Sequence, residues 1–230
     1  MKYYCIFTDL SGLNGIPVFL DARIFEEEII GNPYNVKNYK YYNWMKSGFT
    51  EDLFPNPLYL YTKNEKFSFD YYFFTSAFIL SDSFLDITNK YNKEYYSSEL
   101  KIFPWKKDKK INVIKNYKYV KYNYLTNIID FSKSICIFSK DDKGERIVYN
   151  GVQYVSEYKK IVFNESKISK ELFLIKDTIL GRNLFCSERF RDEIGFNLYG
   201  IQYVDIIDLP DYIKYKGYLG KATYERLRNR

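Results

Sequence analysis

The chain has 230 residues, of which 46% are hydrophobic and only 6 are Pro and 11 Gly, so it can bury a large core and is excluded from the disordered and staple-dependent classes. Its formal charge of +6 comes from 35 basic and 29 acidic residues spread along the whole sequence, a mildly basic surface with no nucleic-acid-binding arm. Histidine is absent, which removes the commonest general base and the commonest zinc ligand.

Residues 2–8 and 16–20 read as two strands joined by a turn containing Gly12 and Asn14-Gly15, an opening hairpin. Residues 22–30, with Glu26-Glu27-Glu28, read as a short helix stopped by Gly31-Asn32-Pro33. Residues 34–57 are aromatic and irregular. A second hairpin is expected from 58–62 and 67–74 about the polar turn 63–66, because both arms alternate apolar and polar side chains. Further strands are expected at 99–104, 117–122, 134–139, 146–149, 159–163 and 171–176, with a turn at Asp141-Asp142-Lys143-Gly144.

A short internal repeat aligns residues 78–86 with residues 184–192, each reading as strand, helix, strand. In both, a serine (Ser81, Ser187) is placed to accept a hydrogen bond from an orphan amide at the helix start, and the acid after it favours the positive end of the helix. The fold class expected is therefore α+β, with mostly antiparallel sheet and a few short helices.

Little in the sequence points to catalysis. No nucleophile elbow, phosphate loop or dinucleotide fingerprint is present. Cys5, Cys136 and Cys186 are far apart and read as reduced, mostly buried thiols. The first residues reach Asp9 before a signal-length apolar segment accumulates, and no run approaches the ~18 apolar residues of a spanning helix, so the expected location is the cytoplasm. An enzymatic alternative uses Asp142, Glu157 and Lys159 as the acids and lysine of a divalent-metal nuclease. The pattern is unspecific, and solvated strand and turn charges explain it as well.

Aromatics interleaved with lysine, at 39–46 and 117–122, suit either single-stranded bases or a protein partner. Alternation on an ordinary strand accounts for the second segment. The run from Lys106 to Lys110 reads as a solvated loop.

The segment 119–134, with Leu172-Phe173-Leu174-Ile175, residues 184–190 and Tyr199-Gly200-Ile201-Gln202-Tyr203, resembles immunity proteins of bacterial polymorphic-toxin systems, families 43 and 11. The opening strands and Leu53-Phe54-Pro55 followed by Phe69-Asp70-Tyr71-Tyr72 bring it closer to family 43. The resemblance implies a non-catalytic antidote with no cofactor, which binds a cognate toxin domain and blocks it by occlusion. It places one such domain at residues 1–208 and leaves 209–230 as a basic tail, read either as a basic helix or as a frayed end. Tyr41, Tyr42, Trp44 and Trp105 are the expected partner-binding residues, and neither a membrane nor nucleic acid is an expected partner. Because inhibitors of nucleases are often acidic, a basic chain implies either another kind of toxin or local acidic contacts, at Glu26–Glu28 or Glu51-Asp52.

Overall fold

The computed structural model describes residues 1–9, 16–17, 19–33, 36, 42–45, 55–149, 151–194 and 197–216. Its first strands are β1 (Tyr3–Thr8), β2 (Ala22–Phe25), β3 (Leu58–Thr62), β4 (Lys66–Phe67), β5 (Tyr71–Phe74) and β6 (Ala77–Ser81), followed by α1 (Asp82–Thr88). Next come β7 (Tyr95–Pro104), β8 (Asn112–Val113), β9 (Tyr117–Tyr122), β10 (Tyr124–Leu125), β11 (Ile135–Phe138), β12 (Val148–Tyr149) and β13 (Val152–Gln153). The chain continues through β14 (Val155–Lys160), β15 (Leu172–Ile175), β16 (Leu184–Ser187), α2 (Glu188–Ile194), β17 (Ile201–Asp205) and α3 (Leu209–Lys216). The protein is thus mostly β-sheet, with three short α-helices among the described residues.

Two compact units share the chain. One takes residues 1–7, 124–193 and 203–230, the other residues 8–123 and 194–202, so the chain passes between them four times, twice inside a strand.

The second unit is built on a six-stranded sheet in the order β2-β3-β7-β9-β6-β5, antiparallel except where β3 runs parallel to β7. Period-2 alternation gives this sheet two different faces. Ile24, Leu58, Leu60, Leu100 and Ile102 point into a core with Trp44, Phe67, Phe69 and Tyr119. Phe25, Tyr59, Tyr61, Phe103 and Trp105 share the other face. There the register sets Phe25 opposite Tyr59 and Tyr61 opposite Phe103, and the rings of Tyr61 and Phe103 stack at 5.3 Å.

The first unit has a five-stranded sheet in the order β10-β15-β16-β1-β17. β1 runs antiparallel to β16, and the bond from Ile206 N–H to the Tyr3 carbonyl closes its other side. Phe173, Phe185, Leu180 and Leu209 are fully buried in its core. Residues 209–216, read as tail from the sequence, form α3 here: Leu209 and Tyr212 are buried, and the ring of Tyr212 lies 4.6 Å from that of Phe7.

Three expectations are corrected by these pairings. β1 does not form an opening hairpin with residues 16–20. Its six residues are all buried and take both their neighbours, β16 and β17, from the far end of the sequence. Residues 22–25 form β2 and not a helix, because pairing with β3 buries Ile24 and Phe25 on opposite faces, and that burial outweighs the helix preference of the glutamates after them. Residues 58–62 and 67–74 are not a hairpin: 63–66 is a connection held by bonds from Lys63 N–H to the Asp21 carbonyl and from Asn112 N–H to the Glu65 carbonyl. The hairpin in this region joins β5 to β6, with Phe74 opposite Ala77. The turn at Gly12 and Asn14-Gly15 lies outside the described residues.

The two serines do cap helices. Ser81 Oγ accepts from Phe84 N–H at 3.0 Å and donates to the Asp70 carboxylate. Ser187 Oγ accepts from Phe190 N–H at 3.1 Å and donates to the Glu171 carboxylate. Asp70 is 2% exposed and is further held by Lys115 Nζ at 2.6 Å and by Tyr199 N–H at 2.7 Å.

Candidate functional site

Of the residues expected to bind a partner, Tyr41 lies outside the described residues. Tyr42 and Trp44 flank and enter a single 3-10 turn (Asn43–Met45), where their rings stack at 5.3 Å. Trp44 is only 4% exposed, edge-on to Tyr119, and its indole N–H donates to Glu26 Oε1 at 2.8 Å. It packs the core, and Glu26 is engaged in holding it there while Glu27 and Glu28 stay exposed. Burial raises the Tyr42 phenol, against the hydrogen bond it accepts from Glu26 N–H. Glu51-Asp52 lies outside the described residues.

Two of the residues of the metal alternative, Glu157 and Lys159, lie two positions apart on β14, and the third, Asp142, belongs to a turn. Asp142 sits in the exposed turn between β11 and β12, and Glu157 lies opposite Ile137 on β14, 3.6 Å from Lys214 Nζ of α3. Lys159 is exposed. Among the described residues no three His, Cys, Asp or Glu side chains stand close enough to hold a metal ion. The cysteines are free thiols, and burial pushes the Cys186 thiol well above its ordinary range, which favours its protonated form.

Trp105 is placed differently. It follows β7, where its N–H donates to the Thr62 carbonyl at 2.8 Å, and it is 6% exposed. Its ring forms part of the wall of a cleft of about 200 Å³ at the end of β3 and β7, whose rim carries Lys63, Lys106, Lys109 and Lys110 together with Glu65. The Arg23 guanidinium and Lys63 Nζ each lie 5.8 Å from the centre of that ring. The same chemistry recurs along the face, where Lys101 Nζ stands 5.8 Å from the ring of Tyr59. Tyr61, at the centre of the aromatic row, accepts from Ile29 N–H at 2.9 Å, and burial raises its phenol.

The lysine run does not hang freely. The bond from Trp105 N–H to Thr62 pins one end of residues 105–111; at the other, parallel pairing of β4 with β8 and the bond from Asn112 N–H to Glu65 pin the second. A turn closed from Lys109 N–H to the Lys106 carbonyl at 3.0 Å sets the direction in between. The sequence showed the charges and the tryptophan separately. Their meeting with Lys63 needs the parallel pairing of β3 with β7, for which no local signal exists, although the alternation Leu58-Tyr59-Leu60-Tyr61 does announce a sheet with an aromatic second face.

A second exposed surface belongs to the other unit. On β11, Cys136 and Phe138 turn toward the core while Ile135 and Ile137 turn outward, 55% and 45% exposed, and the Arg146 guanidinium lies 4.0 Å from the ring of Phe138. No helix among the described residues is long and apolar enough to cross a membrane.

No curated protein matches the chain. The family model described as Immunity protein 43 matches residues 11–218, which span both units, the capped helices and the lysine cleft. By that match over most of its length, the chain belongs to the Immunity protein 43 family.

Proposed function

We propose that the protein is the cytoplasmic antidote of a bacterial polymorphic-toxin system, which binds a cognate toxin domain and neutralises it by steric occlusion, with no turnover and no cofactor. The observation that carries this reading is the family match over residues 11–218. A pinned basic cleft and an outward apolar strand face, features that suit contact with a macromolecule, support it.

The test is co-expression with the toxin domain encoded beside the gene. Growth should be restored, and the two chains should co-purify as a complex. Toxicity undiminished by a soluble, folded immunity chain would overturn the reading. The metal-nuclease alternative predicts Mg²⁺-dependent cleavage of nucleic acid that Glu157→Ala abolishes, and a single-strand binder predicts affinity that collapses with salt.

We also propose that the two strand–helix–strand segments are copies of one unit. In support, each joins an antiparallel strand pair, β5–β6 or β15–β16, to a helix whose capping serine donates to a carboxylate placed just before the pair. Removing either serine hydroxyl should then destabilise the fold by the same mechanism.

A further inference from the structure

We infer that the cleft beside Trp105 receives an acidic segment of a partner protein, its carboxylates bound by Lys106, Lys109 and Lys110. On the immunity reading, on which this rests, that partner is the toxin. Of the four lysines on the rim, Lys63 is already engaged, 2.7 Å from the Asp21 carboxylate. Lys106, Lys109 and Lys110 have no carboxylate partner among the described residues, although all three lie within one turn of chain. Four lysines on one short turn, Lys106, Lys107, Lys109 and Lys110, outnumber the single carboxylate among them, Asp108, and the positive potential they leave favours an anion.

The pinning of this loop matters for the same reason. Lysines on a floppy loop lose conformational entropy on binding, whereas here the backbone between β7 and β8 is tied at both ends before any partner arrives. Glu65 on the rim sets a polarity: an incoming acidic segment is drawn to the Lys106–Lys110 side and kept off the β3–β4 side.

Nucleic acid fits the cleft less well. A single-strand site offers open aromatic faces on which bases stack, along a track of cations. Trp105 exposes only 6% of its surface, with Arg23 and Lys63 both near its ring, so it lines the cleft without offering a platform for a base. The lysines form one compact group at a cleft of about 200 Å³, a volume that suits one or two carboxylate side chains.

The two tryptophans of the chain provide the readout. In ¹⁵N-labelled protein they give two indole signals, assigned by whichever of Trp44→Phe and Trp105→Phe folds. An Asp/Glu-rich octapeptide, an eight-residue oligothymidylate and inorganic phosphate are titrated separately at low salt to about 5 mM, a range that reaches weak, fragment-like affinities. The expected result is movement of the Trp105 signal by the peptide with the Trp44 signal still, and loss of that movement in the triple variant Lys106→Glu, Lys109→Glu, Lys110→Glu. No movement with the peptide, or movement at lower concentrations of the oligonucleotide or of phosphate, overturns the inference. With the toxin domain as probe, the triple variant should bind at least tenfold more weakly. Unchanged affinity overturns the inference and leaves the immunity reading standing, whereas a peptide response without toxin binding by the wild type supports the cleft and removes the toxin as its partner.

Discussion

At the scale of single residues, the two capping serines have the same bonds and different surroundings. Ser81→Ala removes a cap, worth about 1 kcal/mol, and also a donor to Asp70, which is 2% exposed and cannot turn to water. Ser187→Ala removes the same cap, but its carboxylate, Glu171, keeps 30% of its side chain in solvent. Thermal melts should therefore show both variants destabilised, Ser81→Ala by about 2–3 kcal/mol and Ser187→Ala by about 1 kcal/mol. An equal or reversed order would mean that Asp70 is satisfied by Lys115 and Tyr199 alone. A second residue reports on pH. Asp130 organises the turn before β11, accepting from the Ser132 hydroxyl at 2.6 Å and pairing with Lys133 at 3.0 Å, and these contacts lower its carboxyl from 3.8 to about 2. A depressed carboxylate stabilises the fold fully above its ordinary range and loses that contribution as pH falls from 3.8 toward about 2. A carbon-detected NMR titration should find the Asp130 midpoint near the lower value, and Ser132→Ala should move it upward; a midpoint at the ordinary value in the unaltered protein would show that the turn does not hold the charge.

At the scale of elements, what could be read from the sequence was what is local. β7, β9, β11 and β15 announce themselves by alternation or by short apolar runs, and the serine caps by a hydroxyl next to an acid, because each depends on residues a few positions apart. Partnership is not local, so β2 looked like a helix and the connection 63–66 like a hairpin turn. α3 was one of two readings of the tail, a basic helix or a frayed end, and the sequence could not choose between them for a related reason: a basic, tyrosine-rich stretch carries weak amphipathic pattern, and its anchoring is tertiary. Leu209 has no exposed surface, so Leu209→Ala should cost about 2–4 kcal/mol in denaturant unfolding. Lys214→Ala, which breaks only a pair with Glu157 that is exposed on both sides, should cost less than about 0.5 kcal/mol. Similar costs for the two would show that the helix is peripheral to the core. The candidate site divides in the same way, since Trp105 and the lysine run were visible as residues, while the cleft they share with Lys63 exists only once β3 and β7 lie side by side.

At the scale of the molecule, the chain is shared so that neither unit is a continuous stretch. A fragment of residues 8–123 lacks the segment 194–202, and with it the Tyr199 amide that bonds Asp70. Such a fragment should be cut by trypsin much faster than the intact chain at equal enzyme, and equal resistance would show that the segment adds nothing to that core. The same connectivity has a temporal side. β1 leaves the ribosome early, but the strands that flank it, β16 and β17, are made only after residue 183. At roughly 5–20 residues per second, β1 waits on the order of ten to forty seconds for its neighbours, and long-range pairing of this kind closes slowly once they appear. A chain cut short before residue 184 therefore carries β1 with neither of its neighbours, an all-buried strand left with both edges open.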